Sequence, residues 1–378
     1  MASKNDKIKC EICGKLVHSI ELHLRDAHPE MNIEEYAQRF PKAPVLSEYA
    51  QELILEKRRQ QIEEAKKSGK PLFHEVFELD DADAFSTNGN HPISITVNTP
   101  KADEEGLIPE INNGYVFNVK ELKYLLSGIE MSMPVYVWGH KGAGKTELIE
   151  QICARTRRPL IRVQHTVNTE ESQIVGQWTV RNGQTEFEYG ALPLAMINGW
   201  TYLADEYDFA MPNVLATYQA VLEGKPLMIK EAPADKRVVK PHPNFRFVAT
   251  GNTNGTGDET GLYQGTTVQN SANYDRFGVV VKKAYLDSDS EIKILTNNTQ
   301  LSKEDAKLFV GFAKQVREAF DAGKISDTIS PRTLLFAVKL GIVHASFRDG
   351  LRLAFMNKLS SADYEVCDSF AQRIFGEG

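Results

Sequence analysis

The sequence predicts an α/β protein with a helical C-terminal region and a small metal-binding segment near its start. A glycine-rich loop separates an apolar run from a helical pattern within residues 134–153, and four more short apolar runs follow it. Strand, glycine loop and helix in this order indicate an α/β core. From residue 287 onward, apolar residues recur at helical spacing. Two cysteines and two histidines within residues 10–28 indicate the metal-binding segment.

The composition is that of a globular protein, with 378 residues of which 42% are hydrophobic and 25% charged. A net charge of −7 argues against polyanion binding by bulk electrostatics. No N-terminal signal pattern is present and no apolar run approaches the length of a membrane span, so we expect a cytoplasmic protein without membrane contact. One C-x-x-C pair among four cysteines indicates metal binding in a reducing compartment, not a disulfide framework.

The central motif is the segment 139–146, which fits G-x-x-x-x-G-K-[ST]. Its glycines allow close backbone approach to a triphosphate, and the following helix N-terminus supplies partial positive charge. Lys145 is predicted to reach the β- and γ-phosphates, and the Thr146 hydroxyl to ligate Mg²⁺. The predicted nucleotide-binding residues are Gly139, His140, Lys141, Gly142, Ala143, Gly144, Lys145, Thr146 and Glu147.

Polar side chains follow two of the later apolar runs. Asp205 and Glu206 end the run 200–204. Asp205 is predicted to hold Mg²⁺, and Glu206 to orient and deprotonate the attacking water. Asn252 follows the run 245–250, where its amide would hold that water against the γ-phosphate; a cap or turn role is the alternative.

One arginine is a further candidate for contact with the γ-phosphate, and a second lies at the start of a predicted helix. Arg276 precedes the run 278–282, from which it would reach the nucleotide of a neighbouring subunit; a salt bridge to Asp275 is the alternative. Arg332 lies in the first turn of a helix that is predicted to begin at Pro331.

The N-terminal segment carries Cys10, Cys13, His23 and His28 at a spacing that suits tetrahedral Zn²⁺ in a closed structural site. So short a segment cannot bury enough core alone, and the metal is expected to supply its folding energy. His18 is a rival ligand, ranked lower because it falls at the start of the predicted helix.

Residues 46–110 are expected to connect this module to the core. The charge-rich segment 47–70 predicts one exposed or partner-packed helix. An apolar run predicts a short strand at 93–97, and the acidic residues 80–83 a solvated turn. In the C-terminal helical region, His344 and Cys367 are expected to be core residues.

The first 45 residues resemble the zinc fingers of the Ros/MucR bacterial regulators, which bind DNA. The resemblance rests on Cys-x2-Cys-Gly-Lys, the two histidines and Ile33-Glu34-Glu35-Tyr36. Residues 1–28 hold five basic and four acidic residues, a net charge of +1. Phosphate contacts dominate DNA affinity, so this near-neutral finger favours protein docking over DNA binding, which stays the alternative.

The central half of the chain resembles the AAA+ superfamily and, within it, the MoxR group and its cobaltochelatase ATPase subunits (CobS). The resemblance spans roughly residues 108–286. Besides the glycine loop, its carriers are 149–155 with 159–163, 185–187 with 190–193, 205–208, 237–243, 250–253 and 261–266.

This resemblance implies a five-stranded parallel sheet, a ring that is usually hexameric, and ATP sites between subunits. It implies that Asn252 is sensor 1, Arg276 the arginine finger and Arg332 sensor 2. It places Gln164 where a polar residue restrains the catalytic Glu206. The predicted domains are a zinc finger (1–45), a helical connector and linker (46–110), an AAA+ core (111–286) and a helical lid (287–378).

Three functions follow as hypotheses. The leading one is a ring-forming ATPase that remodels or drives a partner protein. The second is a nucleic-acid-binding regulator whose finger addresses DNA. The third is the motor of a cobalt chelatase, which would act with a von Willebrand-type domain subunit and a large metal-inserting subunit.

Overall fold

The computed structural model describes residues 5–67, 69–86, 89, 91–258 and 261–376. The chain divides into two compact units, Met1–Thr96 and Val97–Gly378. Within the described residues, no helix combines the length and the apolar character needed to cross a bilayer.

The first unit is built from short elements around small cores. Its elements are β1 (Ile8–Lys9), β2 (Leu16–Val17), α1 (Ile20–Ala27), α2 (Ile33–Arg39), α3 (Glu48–Lys66) and α4 (Phe73–Val76). Ser19 caps α1 by accepting a hydrogen bond from the Leu22 N–H, and Ser47 caps α3 in the same way. The predicted helix within 47–70 is therefore confirmed. Of its apolar stripe, Ile62 is buried and Leu53 is 48% exposed.

The predicted strand at 93–97 is wrong. The only pairing of this segment among the described residues is an isolated bridge between Ser94 and Leu72. The helix α4 begins directly after Leu72, so the segment that faces Ser94 turns into a helix. The strand pairing therefore cannot extend beyond this bridge.

The second unit contains the parallel sheet and the helices around it. Its elements up to residue 282 are α5 (Val119–Glu130), β3 (Val135–Trp138), α6 (Lys145–Arg155), β4 (Leu160–Gln164), α7 (Glu171–Val175), β5 (Gly176–Arg181), β6 (Gln184–Tyr189), α8 (Ala191–Asn198), β7 (Thr201–Asp205), α9 (Pro212–Leu215), α10 (Gln219–Leu222), β8 (Leu227–Met228), β9 (Val238–Val239), β10 (Arg246–Gly251), α11 (Ser271–Tyr274) and β11 (Val279–Lys282). The five-stranded sheet has the order β11-β3-β10-β7-β4, and every pairing in it is parallel. The predicted α/β fold is confirmed.

The register of this sheet brings the ends of four strands to one edge. Gly251 pairs with Trp138, and Gln164 pairs with Asp205. The glycine loop after β3 therefore starts beside the residues that follow β10 and β7. This edge is where parallel sheets of this kind bind ligands.

The C-terminal part of this unit is helical, as predicted. Its helices are α12 (Ser288–Asn298), α13 (Lys303–Asp321), α14 (Pro331–Val343), α15 (Phe347–Ala354) and α16 (Ser361–Phe375). Their apolar faces form one core that includes Cys367. His344, expected in that core, is instead exposed, because α14 ends at Val343 and its last turn reaches solvent.

Candidate functional site

The glycine loop after β3 takes a conformation that only glycine accommodates at two positions. Gly139 has φ +155°, and a Cβ there would lie 2.2 Å from the Lys283 carbonyl oxygen. Gly142 has φ +66°, and a Cβ there would lie 2.4 Å from the Ser330 side chain. At these two glycines the loop packs directly against the backbone of Lys283 and the side chain of Ser330, which leaves no room for a Cβ atom. No described side chain caps the N-terminus of α6 at Gly144, so its first N–H groups are available to an anion.

The Lys145 ammonium bonds to neutral oxygen atoms. Its Nζ donates to the carbonyl oxygens of Gly139 at 2.7 Å and His140 at 3.1 Å, and to Asn252 Oδ1 at 2.9 Å. Burial lowers the pKa of Lys145 to about 8. Nearby carboxylates oppose this lowering, and Asp208 opposes it most. A phosphate would replace these neutral acceptors with a charged one, so the surroundings of Lys145 fit a triphosphate.

Asp205 is the centre of a network of oxygen and guanidinium groups. Its side chain is nearly fully buried, and its Oδ1 accepts from the Thr146 hydroxyl at 2.9 Å and from the Thr250 hydroxyl. Its Oδ2 accepts from Arg162 Nε at 2.8 Å and Nη2 at 2.6 Å. A hydroxyl and a carboxylate this close together are the oxygen ligands that Mg²⁺ prefers, so Thr146 and Asp205 fit a magnesium site.

Glu206 follows Asp205 in a strained backbone conformation. Its φ of +53° and ψ of +42° place a non-glycine residue in the left-handed region, which costs about 1–2 kcal/mol. Its N–H donates to the Thr250 hydroxyl at 3.3 Å, and its Oε2 accepts from Gln164 Nε2 at 2.7 Å. The end of β4 therefore holds the Glu206 carboxylate, the contact that the resemblance implied for Gln164.

The other side chains of the loop face neighbouring segments. His140 Nδ1 lies 3.0 Å from the Tyr263 hydroxyl, which also accepts from the Lys141 N–H. Lys141 Nζ forms an ion pair with Asp327 at 2.6 Å. Glu147 accepts from Asn112 Nδ2 at 2.7 Å. His140, Lys141 and Glu147 thus use their side chains to fix the loop and its surroundings.

The two predicted arginines are placed differently. Arg332 is exposed, and it lines a cleft together with Gly142, Ala143 and Gly144. The Arg276 guanidinium instead donates to Glu223 Oε1 from both Nε and Nη2 at 2.8 Å, and its Nη1 bonds to the Ala272 carbonyl. The partner of Arg276 is therefore Glu223, and not the neighbouring Asp275.

In the first unit, the four predicted zinc ligands come together. The ligand atoms of Cys10, Cys13, His23 and His28 all lie within 4.8 Å of one another. Cys13 Sγ lies 3.1 Å from His23 Nε2, and the buried His28 Nε2 has no hydrogen-bond partner among the described residues. An unpaired buried nitrogen facing two thiols fits a Zn²⁺ site. His18 is excluded from the cluster, because its Nδ1 pairs with the Ser47 hydroxyl at 2.8 Å.

Sequence reasoning missed several residues of the nucleotide site. Arg162 and Thr250 contact Asp205, and Tyr263 contacts the loop; all three lie in segments that carry the family resemblance, but no role was assigned to them. Asp208 lies three residues after Asp205, in an acidic cluster that was visible in the sequence. Its hydrogen bonds to the Asn252 segment depend on strand order, which a single motif does not reveal.

Two known family domains match parts of the second unit. Residues 134–277 match the AAA domain of the dynein-related subfamily, and residues 291–374 match the CbbQ/NirQ/NorQ C-terminal domain. The aerobic cobaltochelatase subunit CobS of a Sinorhizobium species is 32% identical over 283 residues, which cover 72% of this chain and 84% of that protein. The chain belongs to the AAA+ ATPases of the MoxR/CobS type.

Two other proteins are similar to parts of this AAA+ ATPase. Midasin of Dictyostelium discoideum is 31% identical over 146 residues, which cover 38% of this chain and 2% of midasin. The solved RuvB Holliday-junction branch-migration motor of Thermotoga maritima is 12% identical, with a TM-score of 0.40 over 65% of this chain and 72% of that chain. Neither matched family domain covers the Cys/His cluster of this MoxR/CobS-type ATPase.

Proposed function

We propose that this AAA+ ATPase hydrolyses ATP at the edge of its parallel sheet and uses the energy, in a ring of identical subunits, to remodel a partner protein. The observation that carries the proposal is the set of bonds joining Lys145 to Asn252 and Thr146 to Asp205, with Glu206 next in the chain. Lys145 and Thr146 begin the helix after β3, Asp205 ends β7 and Asn252 follows β10, and these side chains meet at the glycine loop.

Each side chain has a role that follows from its chemistry. The loop N–H groups and Lys145 bind the phosphates. A phosphate then takes the place of Asn252 as the partner of Lys145, and the released Asn252 amide holds the attacking water. Glu206 accepts the proton of that water when it turns away from Gln164. Thr146 and Asp205 would hold Mg²⁺, which neutralises charge on the phosphates when bound.

The ring is the part of the proposal that concerns neighbouring subunits. Arg276 is half-buried on the turn before β11 and is predicted to act as the finger that stabilises charge on the γ-phosphate of the adjoining subunit. Arg332 lines the cleft beside the loop and would link the lid to the nucleotide. We expect a hexamer, in keeping with the family resemblance.

Glu206→Gln tests the hydrolysis directly. Glutamine keeps the size and hydrogen bonding of the side chain but cannot accept a proton, so we expect phosphate release to fall by at least about a hundredfold. ATP affinity, measured by calorimetry with Mg²⁺, should stay within about threefold of wild type because the phosphate contacts are unchanged. Glu186→Gln, on an exposed hairpin strand, is the matched control and should keep the wild-type rate. Normal turnover by Glu206→Gln would remove Glu206 from its role.

A second candidate function is the motor of a cobalt chelatase. It is favoured by the 32% identity to CobS over most of that protein. On this hypothesis the partner is a von Willebrand-type domain subunit. Co-purification of such a subunit with the ATP-trapped Glu206→Gln form would support it, and a chain of another class in its place would oppose it.

The Cys/His cluster supports a Ros/MucR-like zinc finger, and we propose that it docks a protein. The near-neutral charge of this segment offers few phosphate contacts. DNA binding is the rival hypothesis. It predicts measurable affinity of the full chain for duplex DNA at low salt that falls steeply with added salt, and no binding at low salt would exclude it.

A further inference from the structure

Asp208 is a buried carboxylate that the proposed reaction does not use. It is fully buried in the turn after β7, three residues beyond Asp205. Its Oδ2 accepts three hydrogen bonds: from the Asn252 N–H at 2.8 Å, from the Thr253 N–H at 2.8 Å and from the Thr253 hydroxyl at 2.9 Å. All three donors belong to the segment that follows β10.

The same short segment is held from its other side. Tyr136, buried on β3, donates its hydroxyl to the Thr253 carbonyl at 2.9 Å. A Cβ at Gly251 would lie 1.9 Å from that hydroxyl, so only glycine fits there. The backbone at 251–253 is thus held between a donor on β3 and an acceptor after β7.

If Asp208 served only to stabilise the fold, its buried carboxylate would be an unfavourable choice. Its Oδ1 is buried and has no hydrogen-bond partner among the described residues. An unpaired buried polar atom destabilises the folded state, and does so more strongly when it is charged. Burial raises the pKa of Asp208, while the bonds from Thr253 and Asn252 oppose that rise. A residue with this cost calls for a role beyond packing.

We propose that Asp208 is a positioning residue for ATP hydrolysis, whose carboxylate fixes the backbone of Asn252 and Thr253 and so keeps the Asn252 amide beside Lys145. The inference rests on the proposed function. Asp208 acts through Asn252 and need not touch the nucleotide, which explains why it lies outside the motifs of the loop and the acid pair.

The test is a double-mutant cycle on the full chain. At about pH 6.5, where Lys145 stays protonated even without the Asp208 charge, Asp208→Ala should lower kcat by at least about tenfold and leave the Kd for ATP within about threefold. Asn252→Ala should lower kcat similarly, and the double variant should be no slower than Asn252→Ala alone. Asp208→Asn should keep kcat within about threefold of wild type, because its amide oxygen accepts the same N–H bonds.

Glu291→Ala is the matched control, since Glu291 is a second buried carboxylate with one unpaired oxygen, located in the lid. It measures what loss of a buried carboxylate does through stability. Losses that multiply in the double variant, or a wild-type rate in Asp208→Ala, would overturn the inference. If Asp208→Ala does not fold, Asp208→Asn decides, and a tenfold loss there would overturn it. A wild-type chain that binds ATP without hydrolysing it would instead refute the proposed function.

Discussion

Single residues of the nucleotide site depend on partners that are distant in the chain. Thr146 and Asp205 are 59 positions apart and share a hydrogen bond, and Lys145 and Asn252 are 107 positions apart and do the same. Each contact is made because parallel strands end at the same edge. A change at one residue is therefore felt by side chains that no local pattern connects to it.

Lys145 should give nucleotide binding a pH dependence. Its pKa is about 8 in the nucleotide-free protein, and a bound phosphate raises that pKa. The favourable contribution of the ammonium is fully present below pH 8 and is lost as the pH rises through the higher pKa of the bound state. We expect ATP affinity to fall between pH 8 and pH 9.5, with proton uptake on binding, both measured by calorimetry. Lys145→Met should bind weakly and without this dependence, and a flat wild-type profile would contradict the assignment.

The structure brings together side chains that the sequence motifs had marked around the glycine loop. The glycine loop, the acid pair and Asn252 were all found from the sequence, because each directly follows a recognisable apolar run. Arg162 and Tyr263 were not found, because each contacts the site only through the strand order. His344 was misplaced because helical periodicity does not show where a helix ends.

At the scale of elements, an apolar run was predicted correctly where the fold supplies neighbouring strands. The run 200–204 forms β7 within one residue of its predicted bounds, between β4 and β10. The strand expected at 93–97 does not form, because a strand needs a second strand to pair with. The facing segment of the same chain turns into α4 after Leu72. Pairing of this kind is a tertiary property that local composition does not carry.

The finger is the element whose stability should depend most on metal. Among the residues described in this segment, the buried apolar core is formed by Cys10, Ile20, Leu24 and Tyr36. Removal of zinc by a chelator should abolish the hydrogen-exchange protection of α1 and α2 while leaving that of β3 and β7 unchanged. Cys13→Ser should lower the zinc content of the purified chain, and Cys367→Ala should not. Equal protection of α1 with and without zinc would contradict a structural metal site.

At the scale of the whole molecule, we propose ATP hydrolysis at seams between identical subunits. Glu206 and Arg276 would then serve one site from two different chains. Within its own chain, Arg276 bonds to Glu223. Head-to-tail contacts of this kind close into rings when the rotation between subunits permits.

Mixing two inactive variants tests this claim most directly. Glu206→Gln subunits supply the arginine but not the base, and Arg276→Ala subunits supply the base but not the arginine. Each variant alone should be nearly inactive, and an equal mixture should recover about a quarter of the wild-type rate of phosphate release, since about one seam in four then carries both groups. A mixture no more active than its separate components, or full activity of Arg276→Ala alone, would contradict it.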